Sequence, residues 1–394
     1  MKRFNLRVCF CFLMIGAYFP ALWAADSLHI HLIPQPVNIS ARPGEFVLDK
    51  KVSLMIDAPE EKLNEPAAWF ANQLKTISGI SIQERRSGKK AIHLKLISAA
   101  GKNTIGNEGY KLSVTSSSIS LSANTPAGIF YGMQTLLQLL PADTKAGAGI
   151  KQLAIPCVEI TDYPRFGWRG IMLDVSRHFF TKAEVERYID EIVRFKYNVL
   201  HLHLSDDQGW RIEIKSLPQL TNVGAWRVKR TGNWGDFLPA LANEPATDGG
   251  FYTQDDMREI IKYAQQRNVT ILPEIDVPAH SLALIAAYPN LSCTQSLYSV
   301  NAGFRSPVRD DNALCIGNDS VFTMLDKIFT EIAALFPCEY IHIGGDEAYK
   351  GFWADCPKCQ KRMADEHLKN VDELQSYFVK RGEKILKSKG KKMI

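Results

Sequence analysis

Asp346 and Glu347 stand side by side after Ile341-His-Ile-Gly-Gly345, an apolar run that ends in two glycines. Adjacent carboxylates at a strand end suit acid/base work. Ionising both costs Coulomb energy that rises as water is excluded, so the pair offers a proton donor and an anion together. Three further polar groups each follow an apolar run: Asp174, Ser176, Arg177 and His178; Asp206, Asp207, Gln208 and Trp210; then Glu274, Asp276 and His280. Singly, a strand-end Asp or Arg is often a cap or an ion pair, and His280 would suit an ordinary helix start. Four groups in the same position after four runs argue for one shared site. A metal site is the competing chemistry, because His201-x-His203 shares one strand face and Asp206 and Asp207 follow it. Barrel metal hydrolases usually carry such a pair on the first strand with more histidines after later strands, and here only His280 is available there.

The elements that must position these residues alternate between strand and helix. Arg169 to Val175 reads as a strand, and Thr181-Lys-Ala-Glu184 as a capping box opening a helix with Val185, Tyr188, Ile189, Ile192 and Val193 on one face. Asn198 to Leu204 is the next strand. Thr253-Gln-Asp-Asp256 opens a helix with Met257, Ile260, Ile261 and Ala264 inward, and Val269 to Leu272 follows as a strand. A helix over about 320–336 leads to a strand at Tyr340. The last helix, about 371–388, stops at Gly390, suited to a left-handed C-cap, and Lys391 begins a fifth strand. Five such units with no dinucleotide glycine fingerprint predict a (β/α)8 TIM barrel in the α/β class over a Rossmann sheet. Chemistry in a barrel gathers at the C-terminal strand ends, where all four polar groups fall.

Four segments then carry a specific resemblance: Asp174-Val-Ser-Arg-His-Phe, His203-Leu-Ser-Asp-Asp-Gln-Gly-Trp-Arg, Pro273-Glu-Ile-Asp-Val-Pro-Ala-His-Ser and His342-Ile-Gly-Gly-Asp-Glu. In this order and at these intervals the chain resembles the family 20 glycoside hydrolases, exo-acting β-N-acetylhexosaminidases. The resemblance implies substrate-assisted hydrolysis of terminal β-linked N-acetylhexosamine with retention. The 2-acetamido oxygen attacks the anomeric carbon and gives an oxazolinium intermediate. By the same likeness Glu347 is the general acid/base, Asp346 orients the acetamido N–H and stabilises its charge, and Arg177 grips sugar hydroxyls with its rigid fork of donors. Asp206, Asp276 and His280 support the acid and the substrate. No metal and no cofactor is called for. Independent chemistry agrees, because ordinary retaining glycosidases straddle the bond with two carboxyl groups, which neighbours leaving one strand are poorly placed to do. A tethered internal nucleophile removes that need through its high effective molarity.

Lys2, Arg3 and Arg7 precede an apolar run from Val8 to about Trp23, with small residues at Ala24 and Ala25, the pattern of a secretory signal peptide over 1–25. A periplasmic or extracellular protein with no membrane span in the mature chain is the expectation. Removal of the leader takes the net charge from +5 to about +2, so no nucleic-acid or anionic-membrane partner is implied. The partner is a glycan or glycoconjugate. Six cysteines remain, at 157, 293, 315, 338, 356 and 359. In an oxidising compartment Cys293 and Cys315 are spaced to bridge the excursion between them, and Cys356-Pro-Lys-Cys359 to close locally or stay as thiols. A zinc ribbon would need a second close pair in sequence.

Residues 26–160 differ in texture from the barrel segment, 161–394. Tyr110, Leu112 and Val114 alternate, as do Ile119 and Leu121, and Thr125 to Leu140 forms a helix, which predicts a small α+β domain that packs against the barrel. A hydrophobic content of 46% suffices for two cores. A closed barrel needs roughly three more strand–helix units than the sequence shows, so it reads as the front part of a longer protein. A catalytically inactive sugar-binding relative and a metal-dependent barrel hydrolase are the alternatives. A general acid beside Arg177 has no use in a pure binder.

Overall fold

The computed structural model describes residues 30–56, 61–85, 87–88, 90–97, 105–142, 144, 150–233, 237–303 and 312–394. The proposed leader, 1–25, lies outside them. The N-terminal part contains β1 (Asn38–Asp49), β2 (Ser53–Ile56), α1 (Asn64–Ser78), β3 (Gln83–Glu84), β4 (Ala91–Leu96), β5 (Tyr110–Val114), β6 (Ser118–Ala123), α2 (Pro126–Gln138) and β7 (Gln152–Asp162). Its strands form one mixed sheet in the order β1-β7-β5-β6-β4-β2-β3. The alternation in β5 and β6 buries Tyr110, Leu112, Val114, Ile119 and Leu121, and Ile129, Phe130, Met133 and Leu136 of α2 join the same core. Thr125 caps α2 through its side chain, accepting from the Gly128 N–H, which fixes the helix start one residue later than the sequence pattern suggested.

The remaining chain supplies β8 (Gly170–Asp174), α3 (Lys182–Val193), β9 (Val199–His203), α4 (Gln254–Gln265), β10 (Thr270–Glu274), α5 (Asp319–Leu335), β11 (Tyr340–Ile341), α6 (Val371–Ser388) and β12 (Lys392–Met393). The expected capping box of Thr181 with Glu184 is present, and the helix that Thr253 was expected to open carries a second one, Thr253 with Asp256. The predicted inner faces are buried, with Val185, Ile189, Ile192 and Val193 on α3 and Met257, Ile260, Ile261 and Ala264 on α4, except that Tyr188 of α3 is only half-buried at the margin of its face. Gly390 closes α6 at φ 75°, as its position predicted.

These strands run parallel in sequence order. β8 pairs with β9, and β9 with β10. A parallel bridge between Glu274 and His342 joins β10 to the β11 segment, and β11 pairs with β12. A doubly wound sheet reverses its strand order part way, whereas winding always in one direction around the sheet is the construction of a (β/α)8 barrel. The third strand extends beyond the expected Val269–Leu272, through Pro273 to Glu274. Pro273 lacks an N–H but its carbonyl accepts from His342 N–H at 3.0 Å, so the ladder continues and Glu274 is fixed at the strand end.

The two parts are joined by buried polar contacts as well as apolar ones. Lys196, in the turn before β9, reaches Asp162 at 2.8 Å and Tyr110 Oη at 2.9 Å, and Arg169 pairs with Glu108 at 2.7 Å. Burial lowers the Lys196 pKa and the Asp162 charge opposes that shift. Among the described residues no helix is long and apolar enough to cross a membrane.

Candidate active site

β8 ends at Asp174, whose Oδ1 accepts the N–H groups of Ser176 at 3.0 Å and Arg177 at 2.9 Å. This turn folds the guanidinium of Arg177 back over the strand ends. Its Nη1 lies 3.0 Å from Asp174 Oδ2 and its Nη2 2.6 Å from Asp206 Oδ2. Asp206 follows β9 and is buried. Its Oδ2 also lies 2.8 Å from His203 Nε2, and its Oδ1 lies 3.1 Å from His280 Nδ1. His280 in turn places Nε2 3.4 Å from Glu347 Oε2. The loops after four successive strands thus meet in one chain of contacts, Arg177 to Asp206 to His280 to Glu347.

Burial alone would raise the Asp206 pKa, but hydrogen bonds from His203 and His280 and the Arg177 charge hold it below the usual carboxylate range. Asp207 beside it moves the other way, because burial and the Asp206 charge both raise its pKa. It is satisfied by the Leu282 N–H at 3.0 Å and Asn312 Nδ2 at 2.9 Å. Burial would lower His280, yet its contacts with Asp206 and Asp207 lift it to about 9. The histidine facing Glu347 is therefore a cation at neutral pH.

Asp276 leaves β10 toward the same rim. Its N–H donates to Ser205 Oγ at 3.0 Å, and its Oδ1 accepts the Gly345 N–H at 3.1 Å. Its Oδ2 is buried without a hydrogen-bond partner among the described residues. Burial, reinforced by Asp206 and opposed by His280, pushes its pKa up to about 7. The Gly345 contact ties Asp276 to the turn that carries the acidic pair. That turn is left-handed in three places, with φ 67° at Gly344, 97° at Gly345 and 39° at Glu347. Two of these positions suit glycine, while Glu347 is held in a conformation that side chains resist, as residues at working sites often are. Asp346 and Glu347 are both exposed, the Glu347 side chain to 83%.

Beneath the rim lies a hub that the sequence pattern did not single out. In the sequence Glu274 is one more strand-end acid, but in the fold its buried carboxylate gathers three histidines. Its Oε2 lies 2.5 Å from His203 Nδ1 and 2.9 Å from His201 Nε2, the second without hydrogen-bond alignment, and its Oε1 lies 3.0 Å from His342 Nδ1. Burial would raise the Glu274 pKa, but these histidines hold it far below the ordinary range. His203 has a carboxylate on each ring nitrogen, so although burial lowers its pKa the two contacts carry it to about 10. Both nitrogens then donate, which fixes the ring as an imidazolium. The His201-x-His203 pair does share a face, as expected, and both rings approach this one carboxylate directly. The signal available in sequence was the His203-x-x-Asp206 spacing and a histidine on each of two strands.

Not every residue in the four segments joins the network. His178 packs edge-on against Phe180, with ring centroids 4.9 Å apart. Trp210 is buried and donates to the Ile212 carbonyl at 2.6 Å, a role in packing. Arg211, fully buried, donates to the carbonyls of Ser176, Ala225 and Gly250 and holds the loops after β8 and β9 together.

Parallel strands bring paired acids, a clamped arginine and charge-stabilised histidines together at their C-terminal ends, an arrangement suited to acid/base chemistry by carboxylates. The chain belongs to glycosyl hydrolase family 20: residues 166–394 match its catalytic domain and residues 29–163 its domain 2. It is 37% identical to a beta-hexosaminidase of Porphyromonas gingivalis, over all of this chain and 49% of that protein. It is 38% identical to a beta-hexosaminidase of Vibrio furnissii, over 94% of this chain and 57% of the other. Among solved structures, the exo beta-N-acetylglucosaminidase of Vibrio harveyi in complex with N-acetylglucosamine superimposes with TM-score 0.76 and 35% identity, covering 92% of this chain and 54% of that one. The beta-N-acetylhexosaminidase of Streptomyces coelicolor gives TM-score 0.76 at 32% identity, over 92% and 65%. The chain spans about half the length of the curated relatives it matches.

Proposed function

We propose that the protein hydrolyses terminal non-reducing N-acetyl-D-hexosamine from β-linked glycans, with the substrate's own acetamido group as nucleophile. The observation that carries this reading is the line of contacts from Arg177 through Asp206 and His280 to Glu347 on one rim. Glu347 donates its proton to the glycosidic oxygen and later takes one from water. Cationic His280, fixed by Asp206, orients its carboxylate. Asp346, leaving the same turn, meets the acetamido N–H and balances the charge that grows on the oxazolinium. Both acids come from one turn, which suits a nucleophile that arrives with the substrate and does not suit a second carboxylate across the bond. Arg177, locked by Asp174 and Asp206, presents fixed donors to sugar hydroxyls. The reported relatives are named hexosaminidases, which supports the substrate class.

The same reading places the protein outside the cytoplasm, in the periplasm or beyond. Its support is the basic, apolar and small-residue succession over 1–25. The test is a substrate panel on the full-length protein: aryl β-N-acetylglucosaminides and β-N-acetylgalactosaminides should be cleaved, while β-glucosides lacking the acetamido group stay intact. A stable thiazoline resembling the cyclic intermediate should inhibit tightly. Rapid cleavage of a plain glucoside, or a sugar ester trapped on a carboxylate, would overturn it.

A further inference from the structure

Away from the rim, four cysteines from two distant stretches converge on one point. Cys293 and Cys315 lie in the excursion after β10, and the antiparallel bridge between Ser292 and Leu314 sets them beside each other. Cys356 caps the helix Pro357–Asp365, and Cys359 lies in its first turn. All four are free thiols, and their sulfurs lie within 4.8 Å of one another. Cys359 Sγ is 3.8 Å from both Cys293 and Cys315, and Cys315 Sγ is 3.7 Å from Cys356.

From these distances we infer a four-thiolate site for a structural zinc ion. Zinc binds thiolate at about 2.3 Å in a tetrahedron, which sets neighbouring sulfurs about 3.8 Å apart. The observed separations match that edge. They do not match two disulfides, which would single out two partners, because Cys359 stands equally far from Cys293 and Cys315. Hydrophobic packing of cysteine explains one buried thiol, or two, but not four sulfurs turned toward a common centre.

The surroundings suit the charge of such a centre. Cys356 is the N-cap and Cys359 lies in the first turn of the helix Pro357–Asp365, so the helix's positive end faces the thiolates. The approach of the two stretches depends on Gly317. A Cβ there would lie 2.2 Å from the carbonyl of Lys358 and 2.4 Å from the Cys359 nitrogen. The sequence left Cys356-Pro-Lys-Cys359 as a local bridge or as thiols and spaced Cys293 and Cys315 to bridge each other; in the structure all four are free thiols that meet at one place. The second close pair that a zinc ribbon needs is close in space, not in sequence.

Bound zinc would displace four thiol protons and tie the excursion after β10 to the segment after β11. The first contains Asn312, which holds Asp207; the second follows directly from the Asp346–Glu347 turn. The ion would thus brace the two loops of the rim without touching substrate. This inference does not depend on the hydrolase reading.

The test measures metal content of the full-length protein purified without chelator, by elemental analysis and native mass spectrometry. One zinc per chain is expected, with these four cysteines shielded from alkylation until denaturation in the presence of a chelator releases the metal and frees the thiols. Cobalt exchanged into the site should show the thiolate charge-transfer bands of a tetrahedral centre. Cys293→Ala should lose the zinc, Cys293→His should retain it, and Cys157→Ser should leave it unchanged. Metal-free protein with four alkylatable thiols after expression in zinc, or a denatured mass lower by two disulfides, would overturn the inference, and neither readout depends on activity or on one variant folding.

Discussion

A Cβ on Gly344 would stand 1.9 Å from Asp276 Oδ1. The turn that presents Asp346 and Glu347 is therefore pressed against a buried carboxylate of the preceding loop, and Gly345 N–H completes the contact. Gly344→Ala must move either the turn or Asp276. We expect it to lose most hydrolytic activity and about 1 to 3 kcal/mol of stability, since the clash adds to an unfavourable positive φ. Gly345→Ala meets open space and bears only the conformational cost. Activity of Gly344→Ala equal to that of the parent, in variants matched for folding by circular dichroism, would refute this coupling.

The imidazolium of His203 makes stability depend on alkaline pH. Its folded pKa, about 10, lies above the roughly 6.5 of an unfolded histidine. Its contribution is thus fully present below about 6.5 and is lost as pH rises through about 10. Glu274 and Asp206 have lowered values, so their contributions are present above the unfolded carboxylate range and are lost as pH falls through the folded values. Asp276 acts oppositely: with its pKa raised to about 7, its ionisation erodes stability between about 4 and that value. Denaturant titrations at several pH values should show His203→Gln with a flatter alkaline decline than the parent. Parallel declines in the two proteins would rule out the charged His203.

If Glu347 is the acid, Glu347→Gln should lose far more activity on substrates with poor leaving groups than on activated aryl glycosides, which need little protonation. Steady-state kinetics across a leaving-group series tests this directly. A uniform loss along the series would remove Glu347 from the role.

Arg211 is 0% exposed, and burial lowers its pKa to about 10, so it remains a cation at neutral pH. Its donors reach the carbonyls of Ser176 at 2.7 Å, Ala225 at 2.7 Å and Gly250 at 3.0 Å. Arg211→Met would leave those carbonyls without the donor that joins them, at a cost of about 3 kcal/mol or more. Arg211→Lys should not restore the loss, because a compact ammonium cannot span the same fork. Thermal unfolding of both variants is the measurement, and a Tm within error of the parent would contradict the account.

Local patterning made much of the frame legible in the chain itself. The capping boxes at Thr181 and Thr253, the helical faces of α3 and α4 and the Gly390 stop are set within a few residues, so the sequence determined them by propensity and periodicity alone. The position of Asp174, Asp206, Asp276 and Glu347 after successive strands was legible for the same reason. Only the tertiary structure decided which of those residues touch. Glu274 and His203 are 71 positions apart, and nothing local to either marks the contact that charges the histidine. The parallel register of β9 and β10 creates it, placing Glu274 directly opposite His203. The four cysteines show the same limit, since Cys315 and Cys356 are 41 residues apart and meet because Gly317 admits the backbone at Lys358. Periodicity is a property of neighbours along the chain, whereas a shared proton or a common ligand centre requires distant segments to be brought to within a few ångströms, and here pairing and packing do that.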